Sequence, residues 1–407
     1  MKVLYIFQYG GFPNESRFSR HNHICAVLTK GGVEVDCVSA SFHHLQVTRQ
    51  RFWQFRKLSL ASVNYLSVPV IPYSGSFGKL CSSLSFLVSL FFSCGFRRYD
   101  MVIFSCPNPV VGFFAFYHRI FFQSKTVCEV RDLWPLSIKY YFNSRLGRLV
   151  YHFFDIIMPF LYGKSDASIH LLKNGNVYFE NKYGIKHANS LYLPNGFQRE
   201  DAKPLSLGVF QKPYNFALRY QSVGGKVFIY TGGFGPPNNM NDLVSFILSH
   251  DLDGCLFLFF GDGPQQEAIQ EIARKSPQFK RFIFFKHVNR RFVLEFLSIA
   301  DAPLISIKDI ELYSFGLSLN KLSDYISTGS KSLVFVSSNH SEIRYLDFDK
   351  RFVDIVKIPS DSLDISISFL SYLPTSKIPK EYQRNMTWDH LSSGLINFLK
   401  KIVGHPS

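Results

Sequence analysis

At 407 residues the chain is too long for one ordinary core and requires two or three domains, two being the simpler choice. Hydrophobic residues at 46% against 18% charged exclude intrinsic disorder. A formal net charge of +15, with 43 Phe and 21 Tyr, favours anionic partners such as nucleic acid, phosphorylated ligands or an anionic bilayer.

The opening MKVLYIFQYGG has too short an apolar run for a secretory signal and reads as a first strand over 2–7. Phe18, His21, Cys25 and Leu28 recur at helical spacing before Gly31-Gly32, which predicts a crossover helix over 16–30. Strands follow at 33–38, 101–105 and 125–130. The apolar segments 84–96 and 110–122 fall short of the roughly 20 residues a membrane span needs. They read as helices, either buried or lying at a membrane interface. Together with the basic, aromatic stretch TRQRFWQFRKLSL at 48–60, they suggest peripheral contact with an anionic inner membrane, a solvated loop plus core helices being the other reading. Seven Cys without metal-site spacing read as free, buried thiols, as a reducing cytoplasm maintains.

The polar, Pro- and Gly-containing stretch 201–224 reads as an interdomain connection between an N-terminal domain over 1–200 and a second domain over 225–379. Beyond it, strands near 226–231, 255–260, 281–285, 303–307 and 332–336 alternate with helical patterns. That is the grammar of a second doubly wound parallel sheet. Trp388, Leu391, Leu395 and Phe398 predict one long amphipathic helix over 380–402, within a terminal segment 380–407 expected to pack back toward the first domain.

Several turns occupy the strand-to-helix positions where ligands bind in such sheets. Gly10-Gly11 is either a tight turn or a place where main chain approaches a phosphate or sugar. KVFIYTGGFGPPNN brings Gly233 and Gly235 after a strand, with Asn238 or Asn239 available to cap the next helix. Gly261 and Asp262 in GDGP form either a plain strand-to-helix turn or a ligand contact. In YSFGLSLNKLSDYISTG, Gly316 precedes a helix of about ten residues with Asn320 and Lys321 in its first turn and Asp324 on a neighbouring position. Asp324 can accept the hydroxyls of a ribose while Lys321 and the helix amino end favour phosphates. The competing account is an i,i+3 Lys–Asp surface pair.

The order of SRHNHICAVLTKGGVEV, EVRDLWP, LPNGF, the Gly-rich turn, GDGP, SIADAPLISIK and NKLSDYISTG resembles the GT-B glycosyltransferases of the large retaining family 4, in particular the O-antigen and capsule branch with its fucosamine transferase-like proteins. The resemblance implies two Rossmann-like α/β domains facing across a cleft. It implies transfer of a hexose or amino-hexose, with retention, from a nucleoside diphosphate sugar (a UDP-sugar) to a growing glycan, expected to be polyprenyl-linked. It implies Arg131, Asp132 and Lys321 as catalytic groups, and Gly11, Gly233, Gly235, Gly261, Asp262, Gly316, Ser318, Asn320 and Asp324 on the donor. Arg20 and Trp134 fall on the acceptor side, and neither a metal nor a further cofactor is expected.

The chain departs from that pattern in ways that touch catalysis. Asp324 stands where most relatives carry Glu, and Gly316 where the first acid of a paired-Glu motif would fall. Gly233 and Asn238-Asn239 replace an Arg and a Lys, so leaving-group charge must come from Lys321, Lys308, Arg20 or Arg131 and from main-chain N–H groups. Arg131-Asp132 follows the strand where numerous relatives carry a His, and neither His118 nor His170 is an obvious substitute. A non-catalytic GT-B partner of an assembly complex is the alternative these losses raise. Nucleic-acid binding finds no motif to support it.

Overall fold

A computed structural model describes residues 1–13, 15, 20–43, 53–106, 108, 110–141, 145–198, 207–250, 252–286, 288–358 and 377–404. The chain divides into two compact units, Met1–Gly196 with Trp388–Ser407, and Phe197–Thr387.

The first unit alternates strands and helices in the order β1 (Lys2–Ile6), α1 (Arg20–Lys30), β2 (Glu34–Ala40), β3 (Arg56–Leu60), β4 (Val63–Val68), α2 (Gly75–Cys94), β5 (Met101–Cys106), α3 (Val110–Phe122), β6 (Lys125–Val130), α4 (Leu136–Tyr141), α5 (Arg145–Lys164), β7 (Ala167–His170), α6 (Gly175–Tyr183) and β8 (Ser190–Tyr192). Its sheet runs β3-β4-β2-β1-β5-β6-β7-β8, parallel except for the β3–β4 hairpin. Because side chains alternate across a strand, Val3, Tyr5, Met101 and Ile103 pack on the α1 side, whereas Phe104 and Cys106 meet α3 and α5 on the other. None of the seven Cys is disulfide-bonded, and all but Cys81 are buried.

The second unit continues with α7 (Gln211–Ser222), β9 (Lys226–Thr231), α8 (Met240–Ser249), β10 (Cys255–Phe260), α9 (Gln266–Arg274), β11 (Phe282–Phe285), α10 (Arg290–Ser298), β12 (Ala302–Lys308), α11 (Asn320–Ser327), β13 (Ser332–Ser337), β14 (Val353–Ile358) and α12 (Lys380–Asn385). Its strands are all parallel in the order β11-β10-β9-β12-β13-β14. The order reverses between β9 and β12, and the crevice at the carboxyl ends of those two strands is where such sheets take ligands.

Four readings change. Residues 211–222, expected within the connection, are the helix α7. Its Tyr214 and Ala217 pack into the second core, and Gln221 Nε2 donates to Asp301 Oδ2 at 2.8 Å. A short apolar face among polar residues hides that periodicity. The tail is two helices, α12 and then α13 (Trp388–Val403), because Phe197 N donates to the Met386 carbonyl at 3.1 Å and Phe197 bridges Thr387 where the helix would otherwise continue. Trp388, Leu395 and Leu399 of α13 complete the first unit's core beside α1. The stretch 48–60 ends in the edge strand β3, its residues 48–52 lying outside the described residues. The fourth concerns Arg20, whose reading as an acceptor contact the geometry opposes. Of the helix predicted over 16–30, residues 16–19 lie outside the described residues, as do 201–206 of the connection.

Arg20 starts α1 and is buried. Its Nε donates to Glu129 Oε1 at 2.9 Å, its Nη1 to the Pro194 carbonyl at 2.9 Å and to Asn195 Oδ1 at 3.3 Å, and its Nη2 to the Leu193 carbonyl at 2.9 Å. Tyr5 donates its hydroxyl to Glu129 Oε2 at 2.5 Å. One guanidinium thus joins α1, β6 and the LPNG turn, which leaves it no fork for a substrate. Burial opposes ionisation of Glu129, yet Arg20 and Arg131 hold its carboxyl below the usual range. Arg20→Ala leaves that carboxylate buried beside a hole. It is expected to cost about 3–5 kcal/mol in urea denaturation, far beyond the effect of an exposed Arg.

Candidate functional site

The second unit's switch point is built from the turn after β9 and the start of α11. Lys321 reaches from the first turn of α11 across Gly232, where an added Cβ would lie 2.8 Å from Nζ. The ammonium donates to Tyr230 Oη at 3.2 Å and Asn238 Oδ1 at 3.1 Å, and it sits 4.2 Å from the centre of the Tyr230 ring. No carboxylate lies within ion-pair distance of it among the described residues. Burial pushes its pKa down to about 7.

Asp324 turns elsewhere. Arg290, at the start of α10, donates to Asp324 Oδ1 through Nε at 3.0 Å and Nη2 at 2.7 Å. The i,i+3 Lys–Asp pair is therefore not formed. The two side chains mark two stations along the carboxyl edge, one over the Gly-rich turn and one over the loop after β11. Asn320 is exposed and Ser318 half-buried in the approach to the helix.

The glycines separate by what their backbones require. Gly261 has φ +152°, and a Cβ there would lie 1.9 Å from the Gly232 carbonyl oxygen. The turns after β9 and β10 are cross-linked by Gly232 N to the Phe260 carbonyl at 2.9 Å and Phe234 N to the Asp262 carbonyl at 2.8 Å. Gly316 has φ +115°. Packing and conformation account for Gly261 and Gly316 without a ligand. Gly233 and Gly235 are different. Neither has a positive φ, and their nearest neighbours to a built Cβ stand at 3.7 Å and 3.8 Å. Asn238 does not cap α8; its Nδ2 donates to the Gly233 carbonyl at 2.9 Å while its Oδ1 takes Lys321, so it shapes the turn and orients the cation together.

In the first unit, the Gly10-Gly11 turn follows β1 and is held from inside by histidines. His21 Nε2 lies 3.1 Å from Gly11 N and 2.8 Å from its carbonyl oxygen, and His43 Nε2 meets the Gly10 carbonyl. Burial lowers the His21 pKa to about 4, which keeps the ring neutral. Arg131 stacks its guanidinium 4.3 Å from the Phe7 ring centre beside that turn. Asp132 is exposed, and Trp134 packs edge-to-face on Phe154 of α5 at 4.6 Å. His118 packs among the rings of Tyr99, Phe114 and Phe122, His170 bonds Tyr162 and Ser168, and Lys308 is exposed at the end of β12.

Tyr230, Asn238 as a Lys321 partner, and Arg290 were not among the expected site residues. Arg290 had a signal in NRRF, where Asn289 caps α10 by accepting from Arg291 N at 3.0 Å. Among the described residues no group of three or more His, Cys, Asp or Glu is arranged to hold a metal ion.

No family model and no curated protein matches the sequence. Solved structures do match the fold. Sucrose-phosphate synthase from Thermosynechococcus elongatus aligns with a TM-score of 0.70 at 11% identity, covering 98% of each chain. A trehalose-6-phosphate synthase structure from E. coli, bound with UDP-2-fluoro glucose, aligns over both chains entire with a TM-score of 0.67 at 9% identity. HepE of Anabaena, in complex with UDP-glucose, aligns with a TM-score of 0.58 at 12% identity, over 98% of this chain and all of the other. At such identities the likeness establishes the architecture, which is that of the GT-B glycosyltransferases.

The glycine distinction is measurable. Gly261→Ala is expected to destabilise by about 3 kcal/mol or more, since main chain cannot yield as a side chain does. Gly233→Ala should stay within about 0.5 kcal/mol of wild type. Chemical denaturation of the two variants reads both outcomes.

Proposed function

We propose that the chain is a glycosyltransferase that binds a nucleoside diphosphate sugar in its second unit and transfers the sugar to a glycan acceptor. The observation that carries this reading is Lys321, a cation that has only neutral partners among the described residues at the β9/β12 switch point, above a turn in which a Cβ at Gly233 would meet nothing closer than 3.7 Å. A diphosphate supplies the missing negative charge, and main-chain N–H groups of the Gly-rich turn can take its remaining oxygens. Asp324, oriented by Arg290, is the acid that would grip the ribose diol in this reading. The structural likeness to proteins solved with UDP, UDP-glucose and UDP-2-fluoro glucose supports a uridine donor.

Chemically, the sugar's bond to the diphosphate breaks as a hydroxyl of the acceptor bonds to the anomeric carbon on the face the diphosphate leaves, and the hydroxyl's proton passes to the departing phosphate oxygen. The leaving oxygen carries the developing charge, and Lys321 is the group that can answer it. Retention at the anomeric carbon, a hexose or amino-hexose donor, and a polyprenyl-linked surface polysaccharide as acceptor complete the reading, by resemblance to the family 4 sequences. At the carboxyl end of β6 in the first unit, Arg131 and Asp132 are the catalytic candidates and Trp134 the acceptor-side one.

UDP-sugars in hundredfold excess over Kd are expected to stabilise the protein by about 2.7 kcal/mol in thermal melts. Lys321→Met and Asp324→Ala should each weaken that effect tenfold or more in ligand concentration, a change of about 1.4 kcal/mol or greater. Stabilisation that survives both substitutions unaltered would move the donor site elsewhere. Purified protein that binds the donor but neither hydrolyses nor transfers it would favour the non-catalytic alternative.

A further inference from the structure

We propose that the outer face of helices α2, α3 and α5 docks the first unit on a lipid bilayer with anionic headgroups. Along α2, Leu80, Leu84, Val88 and Phe92 recur every four residues and all are exposed, Phe92 at 85%. In α3, Val111, Phe114, Ala115 and His118 face the sheet while Phe113, Ile120 and Phe121 face outward, Ile120 being 71% exposed. In α5 the outward stripe is Leu149, Phe153, Ile156 and Phe160, again at helical spacing, with Ile156 at 74%.

The stripes adjoin. Phe91 of α2 meets Phe114 of α3 at 5.1 Å between ring centres, and Phe116 of α3 meets Phe160 of α5 at 5.9 Å. Gly112 of α3 admits Leu161 of α5 so closely that an added Cβ would stand 2.8 Å from its Cδ1. A soluble surface seldom leaves so many large apolar groups contiguous unless something covers them.

Charge identifies what covers them. Neither α2 nor α3 contains an acidic residue, and the one carboxylate of α5, Asp155, is spent on Lys182 Nζ at 2.6 Å and Tyr183 Oη at 2.6 Å. Exposed Lys79 on α2, Arg98 just beyond it, and Arg148 and Lys164 on α5 flank the apolar stripes along the chain. A second copy of this chain would set one basic rim against another, whereas anionic headgroups complement the rim and acyl chains the stripes. Among the described residues no helix is long and apolar enough to cross a membrane, so this face lies on the bilayer. Phe154 of α5 also seats Trp134, which puts the candidate acceptor edge on a helix of the docking face. That last link rests on the transferase reading; bilayer docking does not.

The test is sedimentation of the full chain with vesicles of phosphatidylcholine alone and of phosphatidylcholine mixed with phosphatidylglycerol. Wild type is expected to partition about tenfold more strongly into the mixed vesicles. A Phe92→Ser/Ile120→Ser/Ile156→Ser variant and a Lys79→Glu/Arg98→Glu/Arg148→Glu variant should each lose about tenfold, with far-UV circular dichroism and melting unchanged. The substituted positions are exposed, so folding is not at stake, and UDP-sugar stabilisation serves as a separate readout that both variants should keep. The proposal is overturned if wild type ignores both vesicles, if it binds them equally, or if both variants bind as wild type does. It is also overturned if wild type is a dimer that the serine variant splits while neither binds lipid, since a second copy would then be the occupant.

Discussion

Lys321 holds its ammonium group against the ring and hydroxyl of Tyr230 and the amide oxygen of Asn238, with no carboxylate among the described residues to answer it. Burying a cation among neutral groups is unfavourable, and its lowered pKa expresses that cost. The neighbouring architecture keeps it there. Tyr325 of the same helix anchors α11 through its hydroxyl, which accepts from Thr231 N at 2.9 Å and contacts Thr231 Oγ1 at 2.9 Å, at the end of β9. The helix is thus pinned to the strand whose turn the lysine overlooks. Such a site gains most from an anion, whose attraction favours the charged amine and offsets the cost of desolvating it.

The first unit solves the opposite problem. There the charged groups are internally matched: Arg20 and Glu129 neutralise each other in a dry core, and main-chain carbonyls of Leu193 and Pro194 take the remaining guanidinium protons. These bonds fix the LPNG turn and α1 relative to the sheet, and His21 and His43 fix the turn after β1. Arg131, stacked on Phe7, stands between the structural network and the surface. A paired cation builds a scaffold, and an unanswered one invites a ligand.

The sheet architecture is legible in the sequence because its inner strands, such as CLFLFF and MVIFSC, are continuous apolar runs between turn residues. Edge and outlying elements are not. β7 and β8 have only four and three residues, and β4 and β14 break their apolar runs with polar or charged residues. β3 opens with Arg56 and Lys57 within a stretch that reads equally as loop. The site is legible in part. NKLSD signals a helix start with a cation and an acid, but spacing alone cannot show that Lys321 and Asp324 diverge, because the partners that separate them, Asn238 and Arg290, are distant in sequence. Arg20 is misjudged for the same reason, since Glu129 meets it across 109 positions. Conversely Gly233 and Gly261 look alike in sequence, and only the closeness of two turns tells them apart.

The most direct measurement is calorimetric titration of UDP into the protein at about pH 8, in buffers that differ in ionisation enthalpy. At that pH the amine of Lys321 is largely neutral when the site is empty, so a diphosphate should draw a proton onto it, and affinity should fall as pH rises above about 7. The account predicts net proton uptake by wild type and none by Lys321→Met. Binding of UDP without uptake, equally strong in the variant, would contradict it.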